Sequence, residues 1–174
     1  LGDWLRNSDA ADGATNTANR VGTTFPLTLP GENRFSTPVD TSWRGWSELG
    51  FEFAVPDDFP VDLEVWVYTK DWDLLWRQVR IERFEVNNGL LTVRVPICGG
   101  EAEHVWDCVG HLRPWHALTP EQIRVLGVKF EADDSVLYHG QVKLRSVFLT
   151  GRESEPEPLT IVDFELVPAT GRVG

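Results

Sequence analysis

The chain has no methionine and only two cysteines among its 174 residues, and its 16 lysines and arginines are outnumbered by 27 aspartates and glutamates. Each shortage excludes something. The formal charge of −11 repels phosphate backbones and anionic bilayer surfaces, so neither nucleic acid nor membrane is an expected partner. No apolar run approaches the length that spans a bilayer, and Leu1 to Arg6 have neither the basic start nor the apolar core of a secretion signal. A chain without methionine reads as an excised or processed segment, with neighbouring domains in a longer protein. The GxSxG elbow, the HExxH helix, the P-loop and the GxGxxG turn are all missing, so no catalytic residue is assigned and enzyme activity is not expected. Glu48, Glu52, Glu64, Glu82 and Glu131 lie on or beside expected strands. Among so many acids they meet more readily by chance than as an acid–base pair.

Helical periodicity is scarce as well, and no internal repeat is present. Apolar residues recur instead with period two, which is the pattern of a strand with one buried face. One strand is expected from Trp46 to Val55, with Leu49, Phe51, Phe53 and Val55 inward. Asp62–Thr69 and Trp76–Phe84 read as a hairpin joined by the polar and aromatic tip Lys70–Leu75, with Leu63, Val65, Val67, Val79 and Ile81 inward. Asn87–Gly89 supplies residues that accept positive φ, and Leu91, Val93 and Val95 continue the inward set. Thr119–Gln122 fits a single helical turn, and strands resume at Val125–Glu131 and Gly140–Thr150. In the last of these the alternation slips near Arg145 and Ser146, which predicts a bulge. The fold class that follows is all-β, a two-sheet antiparallel sandwich. Its expected limits are 35–151, after a polar N-terminal segment and entry (1–34) and before an acidic, proline-rich linker and terminal strand (152–174). The strand from Leu159 is either the last of this domain or the first of a neighbour.

Cys98 and Cys108 flank a short loop, and the leading expectation is a disulfide that closes it, with a secreted location following from the bond. Free thiols and a zinc site completed by His104 and His111 are the alternatives. No metal ligand is assigned. The turn pairs Asp57–Asp58 and Asp133–Asp134 leave a structural calcium open, although aspartates in turns mostly cap backbone N–H groups.

Tryptophan is the one residue type in conspicuous supply, and five of the eight fall between Trp43 and Trp76. Alternation places Glu64, Trp66 and Tyr68 on the face opposite Leu63, Val65 and Val67. An indole or phenol ring stacks on the C–H face of a sugar while neighbouring carboxylates, amides and guanidiniums bond its hydroxyls. The expected binding surface gathers Glu64, Trp66, Tyr68, Gln78, Arg80 and Arg94, with Thr92, Lys129, Lys143 and Arg145 alongside. Its cations would suit uronate or sulfate groups, and its core alternative is that Trp66 and Tyr68 are buried. Trp72 at the hairpin tip, with Trp106 and Trp115 around the cysteine loop, forms a second expected platform. Trp43, Trp46 and Trp76 are expected to pack.

The order of these features resembles the galactose-binding-like β-jelly roll of carbohydrate-binding modules. The likeness covers Phe35 to Gly151 and rests on Trp46 to Val55, Leu63 to Asp71, Trp76, Val125 to Phe130 and Gly140 to Leu149. It implies a two-sheet sandwich, often with a rim calcium, that binds polysaccharide or oligosaccharide on a sheet face or at loop tips. Arg145 stands where such modules commonly carry an aspartate, which leaves any role of that aspartate without a counterpart here. The same fold also serves as a structural spacer or docking domain, which is the competing expectation.

Overall fold

A computed structural model describes residues 5–6, 23–151 and 159–163. The chain forms strands β1 (Leu5–Arg6), β2 (Thr23–Leu29), β3 (Gly31–Pro38), β4 (Glu48–Ala54), β5 (Glu64–Asp71), β6 (Trp76–Ile81), β7 (Glu85–Asn87) and β8 (Leu90–Pro96). After helix α1 (Gly99–Val105) come β9 (Asp107–Val109), the turn of helix α2 (Thr119–Gln122), β10 (Ile123–Ala132), β11 (Tyr138–Thr150) and β12 (Leu159–Asp163). The first sheet runs β1-β3-β10-β5-β6-β9. The second runs β12-β11-β4-β8-β7, with β2 also pairing with β11. Every pairing is antiparallel, so the two-sheet all-β sandwich expected from the alternation is the observed fold.

The predicted inward stripes meet between the sheets. Leu49, Phe51, Phe53, Leu91, Val93 and Val95 face Val65, Val67, Leu126, Val128 and Phe130, all of them buried. Phe53 and Phe130 meet edge to face at 5.5 Å, an arrangement the ring quadrupoles favour. The slip expected in β11 is present as a register shift between Leu144 and Ser146 against β4. One extra residue there lets Leu144, Val147 and Leu149 all reach the core, which strict alternation would forbid. Asn88 and Gly89, with φ of 51° and 74°, close the β7–β8 hairpin as a two-residue turn whose twist suits the strands.

The sandwich begins earlier than the expected boundary at residue 35. β2 lies within residues 1–34, read as a polar segment and entry, and its Phe25 stacks on Phe35 at 4.3 Å, with Leu27 and Leu29 also buried. The chain changes sheets between β2 and β3, where Gly31 at φ 112° makes the corner. β12 pairs with β11 and so extends the second sheet. The expected polar surface loop from Asn7 to Asn19 lies outside the described residues.

The expected disulfide does not form: Cys98 and Cys108 are free thiols. Cys98 caps the start of α1 and Cys108 follows it on β9, so a seven-residue helix separates them. Nor do the histidines assemble a zinc set, since His111 Nε2 lies 2.7 Å from the Trp76 carbonyl oxygen. Among the described residues no group of three or more His, Cys, Asp or Glu is placed to hold a metal ion. Asp133 instead accepts the Ser135 hydroxyl and backbone N–H, which hold its carboxyl below the usual carboxylate range.

Candidate functional site

The outer face of the first sheet carries a layered set of side chains, because register brings alternate residues of β3, β10, β5 and β6 into rows. In one row Arg34, Lys129, Trp66 and Arg80 stand side by side. The row above it is Glu32, Glu131 and Glu64, and the row below is Ser36, Gly127, Tyr68 and Gln78. Alternation alone aims these residues outward, opposite Val65, Val67 and Val128.

Trp66 is half-buried at the centre of this lattice. Its indole N–H donates to Glu64 Oε2 at 3.1 Å, and Arg80 holds the other oxygen of the same carboxylate at 2.8 Å. Lys129 sits 4.5 Å from the Trp66 ring centroid and reaches Glu131 at 3.6 Å and Glu32 at 3.8 Å. Arg34 completes the row with a 2.6 Å contact to Glu32. The indole is thus fixed by a bond on its edge and a nearly buried cation on its ring, while the neighbouring charges are paired. The exposed Arg80–Glu64 pair adds little to stability but holds rotamers, whereas Lys129 is covered and keeps its partners close. Gln78 makes no side-chain hydrogen bond among the described residues and presents a free amide beside Tyr68.

Tyr68, expected as a surface contact, is 2% exposed. The cause lies on the next strand. Gly127 has no side chain, and the Tyr68 ring lies in the space this leaves. A Cβ at Gly127 would meet the ring at 2.1 Å. Trp76 closes over Tyr68 at 5.0 Å, and Arg34 and Lys70 stand 5.2 and 5.1 Å from the Trp76 centroid. Trp76, read from sequence as a packing residue, is partly exposed and belongs to this face. Its signal was its parity with Gln78 and Arg80.

Six other candidates lie elsewhere. Arg94 is on β8 in the second sheet, opposite Gly50. It pairs with Glu48 at 3.3 Å and covers Phe148, so it and Thr92 do not share a face with Trp66. Lys143 and Arg145 are on β11 in that same sheet. Trp106 and Trp115 are buried at 3% and 2% and stack on each other at 4.4 Å. Their indoles donate to the carbonyls of Pro96 and Ile97, at 2.7 and 3.1 Å, and so fasten the entry to α1. They are structural staples rather than an exposed platform.

Trp72 is 61% exposed at the β5–β6 tip. Its loop is held from beneath by an ion pair that the sequence reading missed. Asp71 accepts the backbone N–H groups of Asp73 and Leu75 on one oxygen and Arg77 on the other, at 2.9, 3.0 and 3.0 Å. Both partners are buried, and Arg77 also donates to the Arg113 carbonyl at 3.0 Å. Their signal was parity, since residues 71 and 77 continue the inward sets of β5 and β6.

No protein-family model matches the chain, and no curated protein matches its sequence. Solved structures do match, and at 12% identity they show the fold alone, a two-sheet β-sandwich that a carbohydrate-binding module also has. The family 11 carbohydrate-binding module of the cellulosomal cellulase Lic26A-Cel5E of Clostridium thermocellum is 12% identical, with a TM-score of 0.50 over 87% of this chain and 89% of that one. PfGH50B matches at 12% identity and a TM-score of 0.51 over 90% of this chain, but this chain spans only 23% of its length. Xylanase10C from Cellvibrio japonicus, in complex with xylopentaose, is 14% identical, with a TM-score of 0.44 over 85% of this chain and 27% of that one.

Proposed function

We propose that this chain is a non-catalytic carbohydrate-binding module that holds a polysaccharide on the outer face of its first sheet. The observation that carries the reading is Trp66, a half-buried indole fixed at the centre of a polar lattice on a face with no covering layer among the described residues. A structural tryptophan has no need of that position. A sugar ring supplies what the site lacks, an apolar C–H face for the indole and hydroxyls for Gln78, Glu64 and Arg80. Trp76 and Arg34 would extend the contact along the sheet, and Trp72 would offer a further ring at the loop end. The lattice is read as a binding device, not a reacting one.

The module would work beside other domains in a larger carbohydrate-active protein. With the disulfide gone, secretion rests on the ligand alone, because polysaccharides of this kind lie outside the cell. Among the described residues no helix is long and apolar enough to cross a membrane.

A docking role is the second reading, and one observation favours it. Trp72, Leu74 and Leu118 are 61%, 71% and 51% exposed, and the Trp72 N–H bonds the Gln122 carbonyl, which brings the two loops together. Binding of the chain to a panel of neutral and acidic polysaccharides, read by tryptophan fluorescence and calorimetry with EDTA as a control, separates the readings. Selective binding with a fluorescence change supports the module. No binding to any polysaccharide, with or without calcium, favours docking.

A further inference from the structure

A cleft opens at the edge of the first sheet, next to the proposed polysaccharide face. Among the described residues β9 pairs with Trp76–Gln78 of β6, and no strand lies beside Val79–Ile81 on that side. Across the gap stand Arg94, Val95 and Pro96 of β8 and the end of α1, and the segment after β6 adds Glu82 and Arg83. The space measures about 450 Å³. Arg80, Arg83, Arg94 and His104 line it against only two carboxylates, Glu82 and Asp107. Cations are gathered here in a chain of formal charge −11, although Arg80 and Arg94 each already face a carboxylate.

The cations differ in what they already hold. Arg80 and Arg94 are each half exposed and bond Glu64 and Glu48 respectively. Arg83 and His104 are exposed and have no ion-pair partner among the described residues. Arg83 therefore offers charge without giving up a contact. The pairs held by Arg80 and Arg94 are exposed and weak, so an incoming anion displaces them at little cost. Val79, Val95 and Pro96 line the same cleft with apolar surface.

The geometry points to a site for the carboxylate of a uronic acid residue, carried by an acidic polysaccharide whose chain lies across Trp66. The inference rests on the reading of the outer face as the polysaccharide surface. Arg80 joins the two regions. It stands opposite Trp66 in register, about 4.8 Å away across the strands. It lines both this cleft and a hollow on the face with Glu64 and Glu131. A sugar chain stacked on Trp66 and running over β6 reaches Arg80 and then the cleft. The planar guanidinium fork fits a carboxylate with two parallel bonds, which a hydroxyl cannot match.

The test titrates the chain and its Arg83→Gln and Arg83→Gln/Arg94→Gln variants with polygalacturonate, alginate and glucuronoxylan, each beside its carboxyl-reduced form. Free galacturonate and inorganic sulfate serve as competitors. At least one native polymer is expected to bind on the order of tenfold more tightly than its reduced form, a difference that Arg83→Gln removes while affinity for the reduced form stays unchanged. Arg83 is exposed in a loop, so its variant should keep the parent unfolding midpoint. Equal binding of native and reduced polymers, or a preference that survives both variants, overturns the cleft and leaves the Trp66 face standing. Full displacement by sulfate overturns it too, because the cleft would then hold any anion. Binding of no polymer in either form sinks the face reading itself, and the cleft with it.

Discussion

Replacing Trp66 with alanine separates a binding residue from a core residue, and the structure gives both magnitudes. The indole is half-buried, makes one hydrogen bond to Glu64 and faces Lys129 at 4.5 Å. With Lys129 nearly buried, the cation–π contact contributes roughly 1–2 kcal/mol, and the Glu64 bond is shared with Arg80, so the carboxylate keeps a partner when the indole is gone. The expected stability loss is about 2 kcal/mol, or roughly 4–8 °C in melting temperature for a chain of this size. The fully buried Trp43, truncated the same way, should lose about 3–5 kcal/mol. Binding should respond in the opposite proportion. A central aromatic anchor contributes roughly 2 kcal/mol or more, so affinity for the bound polysaccharide should fall by about thirtyfold. Calorimetric titration and thermal unfolding on the same preparations read both numbers. A Trp66→Ala protein that loses about 3 kcal/mol of stability yet binds as before refutes the reasoning.

Three further outcomes follow from named contacts. Gly127→Ala drives a methyl group into the Tyr68 ring and should cost about 1–3 kcal/mol in urea unfolding while weakening polysaccharide binding; a neutral result would show that the ring has room to move. Asp71→Asn keeps the acceptor for the Asp73 and Leu75 N–H groups but leaves the Arg77 guanidinium buried without its counter-charge, at an expected cost of roughly 3–5 kcal/mol; a loss under about 1 kcal/mol contradicts the buried pair. Two thiols should titrate in the unfolded, unreduced chain, and reductant should leave the melting temperature unchanged, whereas a bridge would forfeit about 2–3 kcal/mol on reduction.

Much of the fold was legible because alternation is a local property. The inward stripes of β4, β5, β8 and β10, the slip at Arg145, the turn at Asn88–Gly89 and the single turn of α2 all depend on neighbours in sequence. What failed depends on partners distant in sequence. Alternation says that Arg94 faces outward but not from which sheet, and the pairing of β8 with β4 puts it on the far side from Trp66. Tyr68 is outward by parity and still buried, because Gly127 on β10 opens the space its ring occupies. Trp106 and Trp115 read as exposed loop residues because nothing in the sequence shows that they stack on each other. β2 was missed because Pro26 interrupts the Phe25, Leu27 and Leu29 stripe, and proline is tolerated there in a strand that pairs on one side with β11.

The indole N–H resonances of a 15N-labelled sample, followed through titration with an oligosaccharide of the best-bound polysaccharide, test the central claim most directly. The account predicts that the signals of Trp66 and Trp76, assigned by single substitutions, shift with saturation while those of Trp43, Trp106 and Trp115 stay in place. Shifts confined to Trp72, or saturable binding that leaves Trp66 unmoved, would contradict it and take the site away from the outer face of the first sheet.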